Sequence, residues 1–465
     1  MRYISTRGQA PELGFEDVLL SGLARDGGLY VPADWPQLSA DDLKAMQGLP
    51  YNELALRIIS PFVGGAIGDD DLAGIIERAY ATFETDTPAP LVDMGDGTHL
   101  MELFHGPTLA FKDVAMQFLG GVFDHVLSAR GEHITIVGAT SGDTGSAAIE
   151  ACRGKDAIDI FMLHPKGRVS EVQRRQMTTV LSPNVHNLAV EGTFDDCQDL
   201  VKAMFNDQPF RDRHRLSAVN SINWARVMAQ IVYYVHAALK LGAPDRQVSF
   251  SVPTGNFGNV FAGYAAKQMG VPIKRFIVAS NANDILARFF ASGEMKAEGV
   301  VPTLSPSMDI QISSNFERLL FDMVGRDGTK VTETLNAFRK SGSFRVPQQM
   351  LDEVRRSFDG ARFDDDETKA TIRAVYEERG MLIDPHTAVA VAAARALPET
   401  DDTPMAVLST AHPAKFPDAV EAATGVRPGL PEKLSDLFEW PEKADAVANE
   451  LNAVEAFVDG TKEAA

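Results

Sequence analysis

Five stretches of this chain combine residue types that could hold an anion or a reactive amine. The first, Phe104-His105-Gly106-Pro107-Thr108-Leu109-Ala110-Phe111-Lys112-Asp113, joins a turn pair and a hydroxyl to one lysine in an apolar collar of Leu109, Ala110 and Phe111. Such a collar strips water from an ammonium and lowers its pKa, the condition a Schiff-base lysine needs. Asp113 then opens a segment with Val114, Phe118, Val122 and Val126 at four-residue spacing, which predicts one face of a helix. Lys112 therefore stands at a helix mouth. A solvated helix-end lysine would leave the same pattern in this stretch taken alone.

Pro253-Thr254-Gly255-Asn256-Phe257-Gly258-Asn259 falls between an expected strand and an expected helix. Two glycines let the backbone approach a ligand, and the helix that follows offers free N–H groups and its positive dipole end, a phosphate cradle. Neither a P-loop nor a dinucleotide-binding turn has this spacing, and a plain tight turn would use the same residues. Gly138 to Ser146 occupies a similar position, with Thr140, Ser141, Asp143 and Thr144 ahead of a helix. It suits a carboxylate or phosphate, or else a capping turn with Ser141 or Asp143 as N-cap. Asn220-Ser221-Ile222-Asn223-Trp224-Ala225-Arg226 sets an arginine among neutral donors, and a guanidinium can grip phosphate in a fork that lysine cannot form. Ser409-Thr410-Ala411-His412-Pro413 ends another strand, where the Thr410 hydroxyl could meet a heterocyclic nitrogen. His412 before Pro413 and His105 before Gly106-Pro107 are expected as turn residues before they are bases. His386, in Asp384-Pro385-His386, is the weakest candidate and is expected to start an alanine-rich helix. No triad, paired-carboxylate or metal-ligand spacing stands out, so no metal is expected.

These residues need a scaffold that brings strand ends together. Residues 1–95 show mostly helical periodicity, around Phe15 to Leu23, Leu54 to Ile59 and Leu72 to Tyr80. From residue 96 short strand-like runs at 134–137, 158–163, 185–190, 248–252, 275–279 and 405–409 alternate with helical segments. That order predicts parallel sheets with crossover connections, with ligands at the carboxyl ends of the strands. Residues 300–370 are the least legible, and the acidic tail after Arg427-Pro428 is expected to be helical and peripheral.

The totals narrow the classes. At 465 residues two or three domains are expected, and 45% hydrophobic with 23% charged residues is an ordinary globular composition. A net charge of -20 argues against nucleic acid and anionic membrane surfaces as partners. Cys152 and Cys197 make no disulfide framework or zinc spacing, which fits a reducing cytoplasm. The start of the chain shows no apolar signal core, and no run has transmembrane length.

Taken together and in order, these blocks, with Asp26-Gly27-Gly28-Leu29-Tyr30 and Glu102 to Thr108, resemble the threonine synthase family in the subgroup shared by enteric bacteria and fungi. The resemblance implies an α/β pyridoxal-phosphate enzyme of fold type II, similar to the tryptophan synthase β-subunit. It implies a helical N-terminal domain (1–95), a large cofactor domain (96–112 and 226–425), a smaller α/β domain (113–225) and a C-terminal helical tail (426–465). By the same resemblance Lys112 is the Schiff-base lysine, Gly255, Asn256, Phe257, Gly258 and Asn259 surround the cofactor 5′-phosphate, and Thr410 meets the pyridine nitrogen. Thr140, Ser141, Asp143 and Thr144 line the substrate carboxylate site. Asn220, Ser221 and Arg226 face the substrate phosphate, and Thr108 is an active-site hydroxyl. The implied reaction removes phosphate from the γ-carbon of O-phospho-L-homoserine and adds water at the β-carbon to give L-threonine. A phospho-lyase or dehydratase on the same fold, releasing a 2-oxo acid, is the rival. A monomer or homodimer in the cytoplasm is expected.

Overall fold

Each expected strand-then-helix repeat is present in the computed structural model, which describes residues 1–219 and 221–463. Asn220, assigned above to the substrate phosphate, lies outside the described residues. The chain divides into two units. The first takes in Met1–Leu19, Leu23–Val114 and Ser221–Gly429, and the second Leu20–Gly22, Ala115–Asn220 and Leu430–Ala465.

The first unit is organised by a six-stranded sheet. Its order is Phe358–Arg362, Ile273–Ser280, Val248–Pro253, Met405–Ser409, Thr98–Glu102 and Leu91–Gly95. The first five strands are parallel, but Leu91–Gly95 returns antiparallel along the edge, so the sheet is mixed where a parallel one is expected. Val248–Pro253 and Met405–Ser409 are buried along their whole length; Met405–Ser409 accordingly starts as an unbroken apolar run, whereas Val248–Pro253 alternates with Ser249 and Ser251 although both its faces are covered. Successive residues still face opposite ways. Phe250 packs its ring 4.8 Å from Tyr234 of the helix Trp224–Lys240, while the Ser251 hydroxyl donates to the Ala390 carbonyl of the helix Pro385–Ala396 at 2.7 Å. The alanines of that second helix let it lie close against the sheet, in a core with Leu100, Ile277 and Val407.

The N-terminal residues join this unit. Alongside their helices they form a two-stranded antiparallel sheet, Tyr3–Ser5 with Tyr30–Pro32, which helical periodicity does not foretell. The strand Phe358–Arg362 comes from the illegible region. Gly360 interrupts its pattern for a packing reason: a Cβ there would stand 2.7 Å from the Ala287 Cα.

The second unit holds a five-stranded parallel sheet ordered Asp445–Val447, Val185–Val190, Ile158–Pro165, Ile134–Ala139 and Leu216–Ser217. Its edge strand and the helix Leu451–Glu463 come from the tail, and Val447, Val454 and Val458 are buried with Leu188, Val190 and Cys197. The tail is thus part of a core, correcting the expectation that it is peripheral. A three-residue strand is too short to show alternation. Among the described residues, no helix is long and apolar enough to cross a membrane, and no three His, Cys, Asp or Glu side chains cluster as metal ligands.

Replacing Gly360 with alanine forces backbone apart from backbone and should lower stability by about 1–3 kcal/mol. Gly299→Ala, in open space, should change it by less than about 0.5 kcal/mol. Thermal unfolding midpoints of both variants check this.

Candidate active site

The site begins where the strand Met405–Ser409 runs out. Beyond it Thr410 and Ala411 pair with the loop before Lys112: Phe111 N–H donates to the Thr410 carbonyl at 2.9 Å, and His412 N–H donates to the Leu109 carbonyl at 3.0 Å. This short antiparallel bridge holds Thr410 and Lys112 on neighbouring stretches of backbone. Lys112 is the first residue of the helix Lys112–Arg130 and is 8% exposed, as the apolar collar predicts. Its Nζ donates to Ser307 Oγ at 3.4 Å.

Asp113 fixes the loop from below. Fully buried, it accepts the Thr108 N–H at 2.8 Å and the Thr108 hydroxyl at 2.6 Å, while Lys415 Nζ donates to the Thr108 carbonyl at 2.7 Å. The Thr108 hydroxyl therefore points its proton at Asp113. Gly106 is required here, because a Cβ on it would fall 2.5 Å from Asp113 Cβ. Burial pushes the Asp113 carboxyl up to about 6, against the opposing pull of its Thr108 hydrogen bonds and the Lys415 ammonium.

Gly255 to Asn259 connects the strand Val248–Pro253 to the helix Gly258–Gln268. Phe257, just before that helix, takes a left-handed backbone with φ 64°, which is uncommon for a large side chain and is held by its surroundings. The carbonyls of this turn are drawn aside: Gly255 accepts the Ser313 hydroxyl at 2.7 Å and Asn256 accepts the Asn315 N–H at 3.1 Å. A Cβ on Gly255 would come 2.9 Å from the Ser307 carbonyl oxygen. Asn259 receives two hydroxyls on Oδ1, from Tyr233 at 2.6 Å and Tyr234 at 2.9 Å. Its Nδ2 is buried with no hydrogen-bond partner among the described residues. Two donors fix which end of this carboxamide faces the tyrosines, so the other end is a donor awaiting an acceptor.

The run after residue 220 is similarly built. Asn223 caps the helix Trp224–Lys240, accepting the Ala225 N–H at 3.0 Å and donating to the Leu19 carbonyl at 2.8 Å. Arg226 sits in the first turn, 3% exposed, and burial lowers its guanidinium to about 10, so it keeps its charge at neutral pH. Two residues absent from the sequence reading organise this region. Arg318, wholly buried, donates to the carbonyls of Tyr30 at 3.1 Å and Ile222 at 2.6 Å and to the Asn315 side chain. Asn315 reaches the Ser221 carbonyl at 3.3 Å. Together they tie the Ser221 loop to the Asn256 loop. The one available signal was a charged pair, Glu317-Arg318, between Phe316 and the Leu319-Leu320 pair of an otherwise apolar helix start.

In the second unit Thr140 Oγ1 accepts the N–H groups of Gly142 and Gly145, each at 2.9 Å, at the start of the helix Asp143–Cys152. Thr140 thus does the work for which Ser141 or Asp143 was considered as N-cap. Asp143 is buried and accepts from Gln173 Nε2 at 2.8 Å, Ser141 is exposed and Thr144 is half-buried. The histidines also have defined partners. His105 bonds Glu102 at 2.8 Å, and His412 Nδ1 accepts the Ala414 N–H at 3.1 Å as a turn residue. His386 lies between Asp384 and Ser307.

A phosphate would supply the acceptor that Asn259 Nδ2 calls for, at the N-terminal turn of the helix Gly258–Gln268, and a neighbouring amine and hydroxyl suit an aldehyde and a ring nitrogen. The residues fit pyridoxal phosphate. Comparison with known proteins gives the class: the pyridoxal-phosphate dependent enzyme model matches residues 92–337, and the fold is type II. Models of the threonine synthase N terminus and C-terminal region match residues 2–80 and 387–458. A threonine synthase of Pseudomonas aeruginosa is 58% identical over 459 residues, covering 98% of each chain. The crystal structure of a PLP-bound threonine synthase from Brucella melitensis superposes with a TM-score of 0.98 at 56% identity, covering 99% of each chain. The yeast threonine synthase structure gives 0.95 at 41% identity over 100% of this chain and 99% of its own. The chain belongs to the threonine synthase family.

The raised Asp113 carboxyl has a measurable consequence. Its folded value near 6 exceeds the ordinary 3.8, so ionisation opposes folding: the penalty is absent below pH 4, grows between pH 4 and 6, and reaches about 3 kcal/mol above that. Asp113→Asn removes the titration. The variant should therefore gain stability relative to the parent as pH rises from 4 to 6.5, read as the difference of their unfolding midpoints across that range.

Proposed function

We propose that this chain is a threonine synthase that converts O-phospho-L-homoserine and water into L-threonine and phosphate. The observation that carries the reading is the backbone bridge holding Lys112 beside Thr410, in a chain similar along 98% of its length to threonine synthases. Gly255 to Asn259 would hold the cofactor phosphate on turn N–H groups and Asn259 Nδ2, Lys112 its aldehyde carbon, and Thr410 its ring nitrogen. Bound there, pyridoxal phosphate supplies an electron sink for the carbanion chemistry, milder with a hydroxyl than with a carboxylate at that nitrogen.

The chain's own groups do the rest. Arg226 and the Ser221 loop bind the substrate phosphate, which leaves from the γ-carbon; the buried guanidinium favours an incoming anion because little water competes for it. The Thr140, Ser141, Asp143 and Thr144 loop takes the substrate carboxylate. The Lys112 amine moves protons at the α- and β-carbons. Both cysteines are free and buried, which supports a reducing cytoplasmic setting. A monomer or homodimer is the proposed state.

Lys112→Ala should abolish both the visible absorbance gained on adding pyridoxal phosphate and the release of threonine. Retention of either by the variant would contradict the assignment. Chromatography of the wild-type product separates threonine from the 2-oxobutyrate that a lyase would release. Arg226→Gln should keep the visible band while raising KM for O-phospho-L-homoserine by at least about tenfold, the loss of one charge-assisted contact to phosphate.

A further inference from the structure

We propose that Ser307 is a catalytic residue that orients the Lys112 amine, and that His386 and Asp384 are positioning residues that hold Ser307 in place. The inference rests on the assignment of Lys112 as the reactive lysine. A lysine head on a four-carbon stem rotates freely, as an ammonium with three equivalent donors or as an amine with two and a lone pair, so its direction has to be set by a fixed partner before it can move protons between specific carbons. Ser307 Oγ, 3.4 Å from Lys112 Nζ, is such a partner. Catalytic hydrogen bonds are often long before substrate binds.

Ser307 lies on no strand or long helix. It sits in the single turn Pro306–Met308, which is anchored from two sides. On one side, Asn281 Nδ2 holds the flanking residues, Ser305 Oγ at 3.0 Å and Asp309 Oδ1 at 2.8 Å. On the other, the Ser307 N–H donates to His386 Nε2 at 3.3 Å. A nitrogen that accepts carries no proton, so His386 holds its proton on Nδ1 and donates it to Asp384 Oδ2 at 2.7 Å.

The same carboxylate reaches the far side of the site. Asp384 Oδ1 accepts the Thr387 N–H at 3.1 Å and the Thr387 hydroxyl, and Thr387 Oγ1 lies 3.0 Å from Ser409 Oγ, next to Thr410. The His386 ring packs 4.9 Å from Phe416. One buried Asp–His pair therefore links the turn facing Lys112 to the strand end carrying Thr410. Because the Ser307 carbonyl also closes over Gly255, displacement of this turn would move the amine's partner and the roof of the glycine loop together.

The test compares four proteins loaded with pyridoxal phosphate and matched in circular dichroism. Ser307→Ala should keep the visible band and KM within twofold while kcat falls about tenfold or more. His386→Asn, whose side chain reaches Asp384 but stops short of Ser307, should lower kcat similarly. His386→Gln places an oxygen near the Nε2 position, can accept the Ser307 N–H, and should recover most of the rate. A kcat for Ser307→Ala within twofold of wild type, or equal losses in the Asn and Gln variants, would overturn the proposal. Should the His386 variants not match in circular dichroism, Ser307→Ala decides it. Wild-type protein that makes no threonine overturns the function instead. The variant is then judged on the rate at which the visible band grows after pyridoxal phosphate is added: slower growth supports the orienting role, and an unchanged rate removes it.

Discussion

Two peptide hydrogen bonds, Phe111 to Thr410 and His412 to Leu109, are the constraint on which the rest of the site depends. They are formed by backbone alone and lie beyond the last ladder pairs of the sheet, where parallel strands ordinarily diverge into loops. By extending pairing past Ser409 they convert the end of a sheet into a platform. A lysine at the start of the next helix inherits its position from that platform and keeps only side-chain freedom. Leu109 adopts φ 62° in this loop, a conformation unfavourable for its side chain, and the paired carbonyl of Leu109 helps to hold it.

The platform is stabilised by polar groups that have been taken out of water, and this shapes the electrostatics. Asp113, Lys415, Arg226 and Arg318 are all buried. Asp113 is satisfied by Thr108, and Lys415 by the Thr108 carbonyl, so one short loop absorbs a charge of each sign. Arg318 is different. Its hydrogen-bond acceptors are neutral oxygens, and burial lowers its guanidinium to about 9. Glu317 pulls on it electrostatically but is itself paired with Arg7 at 3.0 Å, so these three groups together carry one net positive charge. In a chain of net charge -20, this is how a local environment for anions coexists with an acidic whole. It also ties the Ser221 and Asn256 loops together with a group too costly to bury unless every one of those contacts forms.

How much of this was legible follows from the same physics. Strand 405–409 could be read to the residue because both its faces are buried and its apolar run ends sharply at Ser409; 185–190 was read to the residue although His186 and Asn187 interrupt its apolar residues. The glycine turn at 255–258 was legible because glycine serves backbone approach, and the Gly255 contact with Ser307 shows that approach directly. Lys112 became readable only through the company of Thr410 and the glycine loop. What escaped was structure supplied by single contacts between distant residues. Phe358–Arg362 is an edge strand with Gly360 inside it, and Asp445–Val447 is three residues long, so neither carries a period. Arg318 and Asn315 act through backbone carbonyls on the Tyr30, Ser221 and Ile222 segments, for which no spacing rule exists.

The contrast between His412 and His386 shows where that limit lies. Both precede or follow a proline and both were expected to be local turn or helix-start residues. His412 is one, because its Nδ1 accepts an N–H two residues away. His386 also satisfies the local rule, since Asp384 caps the helix through its backbone N–H. Capping uses only part of the carboxylate and none of the imidazole's outer nitrogen, which is left to meet Ser307 from 79 residues away in sequence. A motif that satisfies a local structural rule can therefore still carry a long-range role, provided the local rule leaves a hydrogen-bonding group over. Counting donors and acceptors, rather than matching patterns, is what separates the two histidines.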